Sequence, residues 1–387
     1  MVCLFIPCLT LKTKNEDLYM RGLCLFILMS IVLLTPQVVV SAEDKTENKG
    51  LLSILDFAKT DKPEEDIQNK VTSPKETPHQ KMLREADNGD VNAQLALGYT
   101  FLYGEGDIQP DYKKAFYYYN LAAENNNHVA INNLGSLYYS GIGTDADIGK
   151  AMDMFDKAHK LGNIEAAVNL AFLYMTDNPR SKDSQKAISL FETAANANNP
   201  TAQFMLGYAR LHGFMVEQDY SKAFELLQKS ALAKYDEAQY RTAIMYMEGK
   251  GVPQNYGKAV AFLEAAANQG HLPAMMDLGT ILSEGTKYPR NIYKAHILFN
   301  LASVYGSDNA AEYRDILASR LKIEEVLQAQ AHADKYRPTP SELTLYIRQT
   351  FGDNITSYID RYLPKENIEK NEKKIEIPKK NKGSTLL

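Results

Sequence analysis

The sequence predicts an all-α protein, an α/α superhelical solenoid of about six 36-residue helix-turn-helix repeats closed by a C-terminal helical cap. Three observations predict it. Segments of one pattern begin at Ala93, Ala130, Ala166, Ala202, Ala238 and Ala274, from "AQLALGYTFLYGEG" through to "AMMDLGTILSEGTK". A Lys-Ala pair recurs in step with them, at Ala115, Ala151, Ala187, Ala223, Ala259 and Ala295. Asp or Asn stands four residues before each of those alanines, at Asp111, Asp147, Asp183, Asp219, Asn255 and Asn291. Self-similarity at such a period marks a stacked array, in which each helix pair buries its apolar face on its neighbours.

At the N-terminal end, Met20-Arg21 precedes the apolar run "GLCLFILMSIVLL", which is followed by Pro36 and by Val40-Ser41-Ala42. Positive charge, apolar core and small-x-small residues in that order read as a secretory signal peptide over residues 1–42, cut after Ala42. The polar patch "KTKNEDLY" before it makes Met20 the expected start. The alternative is an uncleaved N-terminal anchor that associates with a membrane. A span needs about 20 apolar residues, and Thr35-Pro36-Gln37 interrupts this one. All three cysteines, Cys3, Cys8 and Cys24, lie in this leader. The body of the chain therefore has no disulfide, thiolate metal site or cysteine nucleophile. Residues 43–80 are charged and punctuated by proline, and read as a disordered linker.

Residues 81–337 read as the solenoid and its cap. In the first helix of each repeat, small and large residues recur at helical spacing, as in Ala93, Leu97, Gly98 and Phe101. Glycine inside a helix costs about 1 kcal/mol relative to alanine, so a recurring one implies close approach of a partner helix. In the second helix, the Asp or Asn is a preferred N-cap, and Ala115, Tyr118, Tyr119 and Ala122 form an apolar face. Repeat three replaces the loop glycines with "TDNPRSKDS", which requires a different turn. Repeat four carries Arg210 where the other units have Phe101, Tyr138, Tyr174, Tyr246 or Leu282. That arginine must reach solvent or find a partner.

Residues 338–363 hold an amphipathic helical segment, "SELTLYIRQTFGDNITSYIDRYL", interrupted near Gly352. Its apolar residues are Leu345, Tyr346, Phe351, Ile355, Tyr358, Ile359 and Leu363. They would pack on the solenoid end, self-associate or dock a partner. Residues 364–387 read as a charged, disordered tail.

The pattern seen in "YMEGKGVPQNYGKAVAFLEAAANQG" resembles the Sel-one-like repeat, a relative of the tetratricopeptide repeat, over about residues 90–306. The stretch "AAEYRDILASRLKIEEVLQAQAHADKYRP" resembles the helices that close such arrays. The resemblance implies a non-enzymatic adaptor or scaffold with protein partners, and exported relatives of this kind sometimes serve host interaction in intracellular pathogens.

Chemistry-bearing motifs are few. "EGKGVPQNYGKAVAF" outlines a phosphate-binding loop, G-x-x-x-x-G-K-[ST]. Gly251 and Gly257 are one residue too far apart, however, and Ala259 stands where Ser or Thr should hold Mg²⁺. Gly257 also aligns with Lys113, Gly149, Gln185, Ser221 and Tyr293, so the position has no shared duty across the repeats. The seven histidines show no metal-ligand spacing. With 43 basic against 48 acidic residues and a formal charge of -5, a general nucleic-acid binder is disfavoured. No catalytic residue, cofactor site or metal site is expected.

A partner-binding surface is what remains. The resemblance places the concave groove at +2, +6 and +9 from each anchor alanine. Those positions carry Val168, Phe172 and Met175, then Phe204, Tyr208 and Leu211, then Tyr240, Ile244 and Met247. Repeat two is more polar there, with Asn132, Ser136 and Tyr139. A central apolar and aromatic stripe suits an interface core. The competing reading is that neighbouring repeats bury these side chains against each other. The functional expectation is an exported scaffold in the periplasm or at the envelope of a Gram-negative bacterium. Two alternatives stand beside it: an enzyme or enzyme regulator acting on cell-wall peptides, and a eukaryotic endoplasmic-reticulum quality-control scaffold, which glycosylation at Asn354 would mark.

Overall fold

The structure, a computed structural model, describes residues 76–175, 183–353 and 355–360. The leader, most of the linker, the third repeat's loop, Asn354, the end of the amphipathic segment with Leu363, and the charged tail lie outside the described residues. Among the described residues all regular structure is helical apart from one isolated bridge, Glu105 to Ile108.

A first helix, α1 (Pro78–Asp87), starts inside the segment read as linker. The reason is a capping box: the Thr77 hydroxyl accepts from the Gln80 N–H while the Gln80 side chain accepts from the Thr77 N–H. Six helix pairs follow. They are α2 (Val91–Tyr103) with α3 (Tyr112–Glu124), and α4 (His128–Ser140) with α5 (Ile148–Lys160). Next come α6 (Ile164–Met175) with α7 (Ser184–Asn196), and α8 (Pro200–His212) with α9 (Tyr220–Leu232). The last are α10 (Asp236–Glu248) with α11 (Tyr256–Asn268), and α12 (Leu272–Glu284) with α13 (Ile292–Val304). Two helices, α14 (Ala310–Ala318) and α15 (Ile323–Lys335), cap the array.

Each second helix starts where its Asp or Asn predicts. Asp111, Asp147, Asp183, Asp219, Asn255 and Asn291 each accept the backbone N–H three residues on, at 2.9–3.1 Å. The glycines within first helices are explained by contact. A Cβ on Gly98 would lie 2.5 Å from the Tyr119 ring, and one on Gly135 would lie 2.7 Å from Phe155. The bulky residue of the second helix thus packs on bare backbone of the first. Tyr119 and Phe155 are wholly buried as a result.

The loop that resembled a phosphate cradle is a turn. Gly249 ends α10 in the left-handed region at φ 69°, and Asn255 opens α11. Gly251, at φ 71°, passes so close to the preceding repeat that a Cβ would stand 2.0 Å from the Tyr220 carbonyl oxygen. Gly257 sits in the first turn of α11, where a Cβ would meet only the Asn255 side chain.

After α15 the chain does not continue outward. The Tyr336 hydroxyl donates to the Ala267 carbonyl at 2.5 Å, and the Thr339 N–H donates to the Asn268 carbonyl at 3.0 Å. These bonds turn residues 337–340 back toward the middle of the array. Then α16 (Glu342–Phe351), Gly352 at φ 87° and the single turn α17 (Ser357–Asp360) lie over the first helices of repeats three to five. The break at Gly352 falls where the sequence places it. The packing does not: this segment seats in the central groove, not on the end of the solenoid, and Leu345 is 39% exposed on its outer side.

Candidate partner-binding groove

The central core of the molecule is shared between array and segment. Val168, Phe172 and Met175 of α6 and Phe204 and Tyr208 of α8 are buried in one cluster with Ile347, Phe351, Ile355 and Ile359. The Phe351 ring stacks on Phe172 with centroids 3.9 Å apart, and Tyr358 meets Phe172 edge-on at 5.0 Å. Leu211 is partly buried against the same cluster. Phe204 is wholly buried, between Tyr208 and the edge of Tyr235. Tyr240 and Met247 pack instead against the cluster of repeats five and six, and Ile244 is half-buried. Six of the nine stripe residues named from the sequence therefore lie in the cluster that the chain's own C-terminal segment joins, with Phe172 and Tyr208 in direct contact with it, and the other three lie outside that cluster. Asn132, on the polar flank, accepts from the Asn169 side chain at 3.0 Å.

Polar anchors hold the segment at both ends. The Ser341 N–H donates to Gln269 Oε1 at 2.7 Å, and the Ser341 hydroxyl donates to the Lys234 carbonyl at 2.7 Å. Thr344 accepts the Asp236 backbone N–H at 3.1 Å and donates to Gln269 Oε1 at 2.8 Å. Arg348 pairs with the buried Asp236 carboxylate. Tyr346 donates to Glu165 at 3.0 Å, and Tyr208 donates to Asp360 at 2.6 Å.

Spacing alone does not single out these anchors, but one local signal does mark them. First helices open behind Asp90, Asn127, Asn199 and His271, each of which caps with its side chain. Asn163 does the same for Ala166 at 2.8 Å. Repeat five has Tyr235 in that place, and its side chain makes no capping bond. The first two N–H groups of that helix are taken up differently: Thr344 accepts from Asp236, and the Asp236 side chain accepts from Glu237 at 2.8 Å.

Beside the stripe lies a buried charge network. Glu237 binds Arg241 at 2.6 Å and His271 at 2.7 Å. His271 Nδ1 accepts the Ala274 N–H, so Nε2 carries the proton given to Glu237. Burial pushes the Glu237 carboxyl up, but Arg241 and His271 outweigh it and hold it at about 2. The Arg241 guanidinium lies over the rings of Tyr208 and Tyr240, at 5.1 and 5.4 Å. Burial, with Arg241 nearby, lowers His212 to about 4 and keeps it neutral. Burial raises Glu165, against the bonds from Tyr346 and Asn199 that favour its charged form. Arg210 has found a partner in Glu192, at 3.4 Å.

A cleft of about 930 Å³ opens between the segment and the array, lined by Glu165, Asn199, Lys234, Gln239, Ser341 and Tyr346 among others. Among the described residues no three His, Cys, Asp or Glu side chains converge as metal ligands, and no helix is long and apolar enough to cross a membrane. The arrangement is suited to holding an amphipathic helix, with apolar pockets in the middle and charged or hydroxyl contacts at the ends.

Comparison with known proteins agrees with this architecture. The family model described as "Sel1 repeat" matches residues 91–127, 128–163, 164–199, 200–235, 236–271 and 272–303, so each match opens at or close to a first helix. A Sel1 repeat protein from Oxalobacter formigenes superposes with a TM-score of 0.50 at 25% identity, over 66% of this chain and 75% of that one. The Escherichia coli protein c5321, described as a protective antigen displaying an SLR fold, has a TM-score of 0.45 at 20% identity, over 79% and 68% of the two chains. No curated protein matches the chain.

Proposed function

This chain belongs to the Sel1 repeat family, and from that premise we propose that it is an exported, non-enzymatic scaffold that binds protein partners in its groove at the envelope of a Gram-negative bacterium. Sel1 repeat arrays are typically protein-interaction scaffolds. The observation that supports the groove is its present occupant: the first helices of repeats three to five already seat an amphipathic helix through Phe172, Tyr208 and Asp236. Support for export lies in the order of Arg21, the apolar run and Val40-Ser41-Ala42.

Two measurements test the reading. A photo-crosslinking residue at Ile244, a half-buried stripe position outside the cluster that the segment joins, should give protein adducts in envelope fractions. One at Leu232, which is 68% exposed on a second helix, should not. Adducts from Leu232 alone would place the partner elsewhere. N-terminal sequencing of the mature protein should begin at Glu43; retention of the leader would contradict cleavage, and recovery from the cytosol would contradict export.

A further inference from the structure

The segment at residues 341–360 is bound the way a ligand is bound. It joins the array through a short non-helical link containing Pro338 and Pro340. Consecutive helices of the array pack closely along their lengths, whereas α16 reaches the array through its side chains. The buried residues of α16, Thr344, Ile347, Thr350 and Phe351, fall on one face, and Ile355, Thr356 and Ile359 are buried beyond the break. Its polar bonds read features that the array leaves open without it. Where Tyr235 makes no side-chain cap, Thr344 accepts the Asp236 N–H, and Arg348, one helical turn on, pairs with the buried carboxylate of Asp236.

Resting on the reading of the groove as the protein-binding surface, we infer that residues 341–360 are a displaceable internal ligand, and that the partner is an amphipathic helix of the same chemistry. Such a helix carries a hydroxyl and an arginine four residues apart, to engage the Asp236 N–H and carboxylate. It also carries apolar side chains at the spacing of Ile347, Phe351 and Ile355, with an aromatic or large aliphatic group for the Phe172 pocket. The partner must displace the tethered copy. Tethering gives that copy an effective concentration on the order of millimolar. The groove therefore discriminates against weak binders, and apparent affinity falls with the fraction of molecules whose groove is open.

The test uses the full chain, with the two releasing changes confined to the segment, so that the array keeps its own sequence in both. Arg348→Glu sets like charges against each other at Asp236, and Ile359→Asp independently removes an apolar anchor. A fluorescein-labelled peptide spanning residues 338–360 is titrated against wild type and both variants, with helical content followed by circular dichroism. The peptide should bind each variant about tenfold or more tightly than it binds wild type. Adding Tyr208→Phe to a variant should weaken that binding several-fold. Equal binding to wild type and variants, with helicity retained, would overturn the inference while leaving the groove reading to the crosslinking result. Loss of the array's helices in both variants would also overturn it, because the segment would then be part of the folding core and not a ligand.

Discussion

Thr344 caps a helix from which it is separated by 108 positions in sequence, its hydroxyl accepting the backbone N–H of Asp236 at 3.1 Å. A first helix whose preceding residue makes no side-chain cap has its first N–H taken up by the segment lying across it. The hydroxyl is the smallest group that can be removed without changing shape. Thr344→Val should leave the array intact and loosen residues 342–360, at a cost of about 1–3 kcal/mol to their seating. Limited proteolysis near Asp353 should accelerate in the variant while circular dichroism changes little. Unchanged proteolysis would mean that the cap contributes nothing.

The stacked pair Phe172 and Phe351 predicts a larger effect at the same place. Removal of a buried aromatic side chain costs about 3–5 kcal/mol where the gap does not close. Phe351→Ala should therefore release the segment almost fully, exposing Phe172 to solvent. Binding of a hydrophobic dye should rise, without the loss of helicity that a core truncation within the array would cause.

The repeat pattern and the helix boundaries are legible in the sequence because their causes are local. An Asp or Asn side chain reaches only three residues forward, and each packing glycine answers to a residue of its own repeat, as Gly98 does to Tyr119. The seat of residues 341–360 is not local. Periodicity marks Phe351, Ile355 and Ile359 as one apolar face and Phe172, Phe204 and Tyr208 as another. Each face requires cover, but nothing in the spacing says that each covers the other. Tyr235, standing where the other repeats carry Asp, Asn or His, is the one local trace of the match.

Two glycines that share a sequence motif should behave in opposite ways. Gly251→Ala forces a side chain into the left-handed region against the Tyr220 carbonyl, and should cost about 1–3 kcal/mol or more. Gly257→Ala lies in a helix with only the Asn255 side chain nearby, and should be neutral or stabilise by up to about 1 kcal/mol. Urea unfolding midpoints distinguish the two. A phosphate cradle would instead lose nucleotide binding in both variants.

Glu237 gives the molecule a predictable acid sensitivity. Its carboxyl titrates near 4.5 when unperturbed and is held at about 2 by Arg241 and His271 against the opposing effect of burial. A lowered folded value contributes stability above the unfolded pKa, and that contribution is lost as pH falls from about 4.5 toward 2. At about 1.4 kcal/mol per unit, Glu237→Gln should cost roughly 3 kcal/mol at pH 7. The gap between variant and wild type should narrow between about pH 5 and pH 2, as read from denaturant midpoints across that range. A gap that stays constant with pH would show that the charge carries none of it.

Hydrogen exchange on the unmodified chain tests the central claim most directly. If residues 342–360 are a ligand in the groove, the amides of α16 should exchange as a block, well ahead of those in α6 and α8, and the Asp236 amide should exchange with that block and not with the rest of α10. Exchange of α16 in step with α6 and α8, at the rate of global unfolding, would contradict the account.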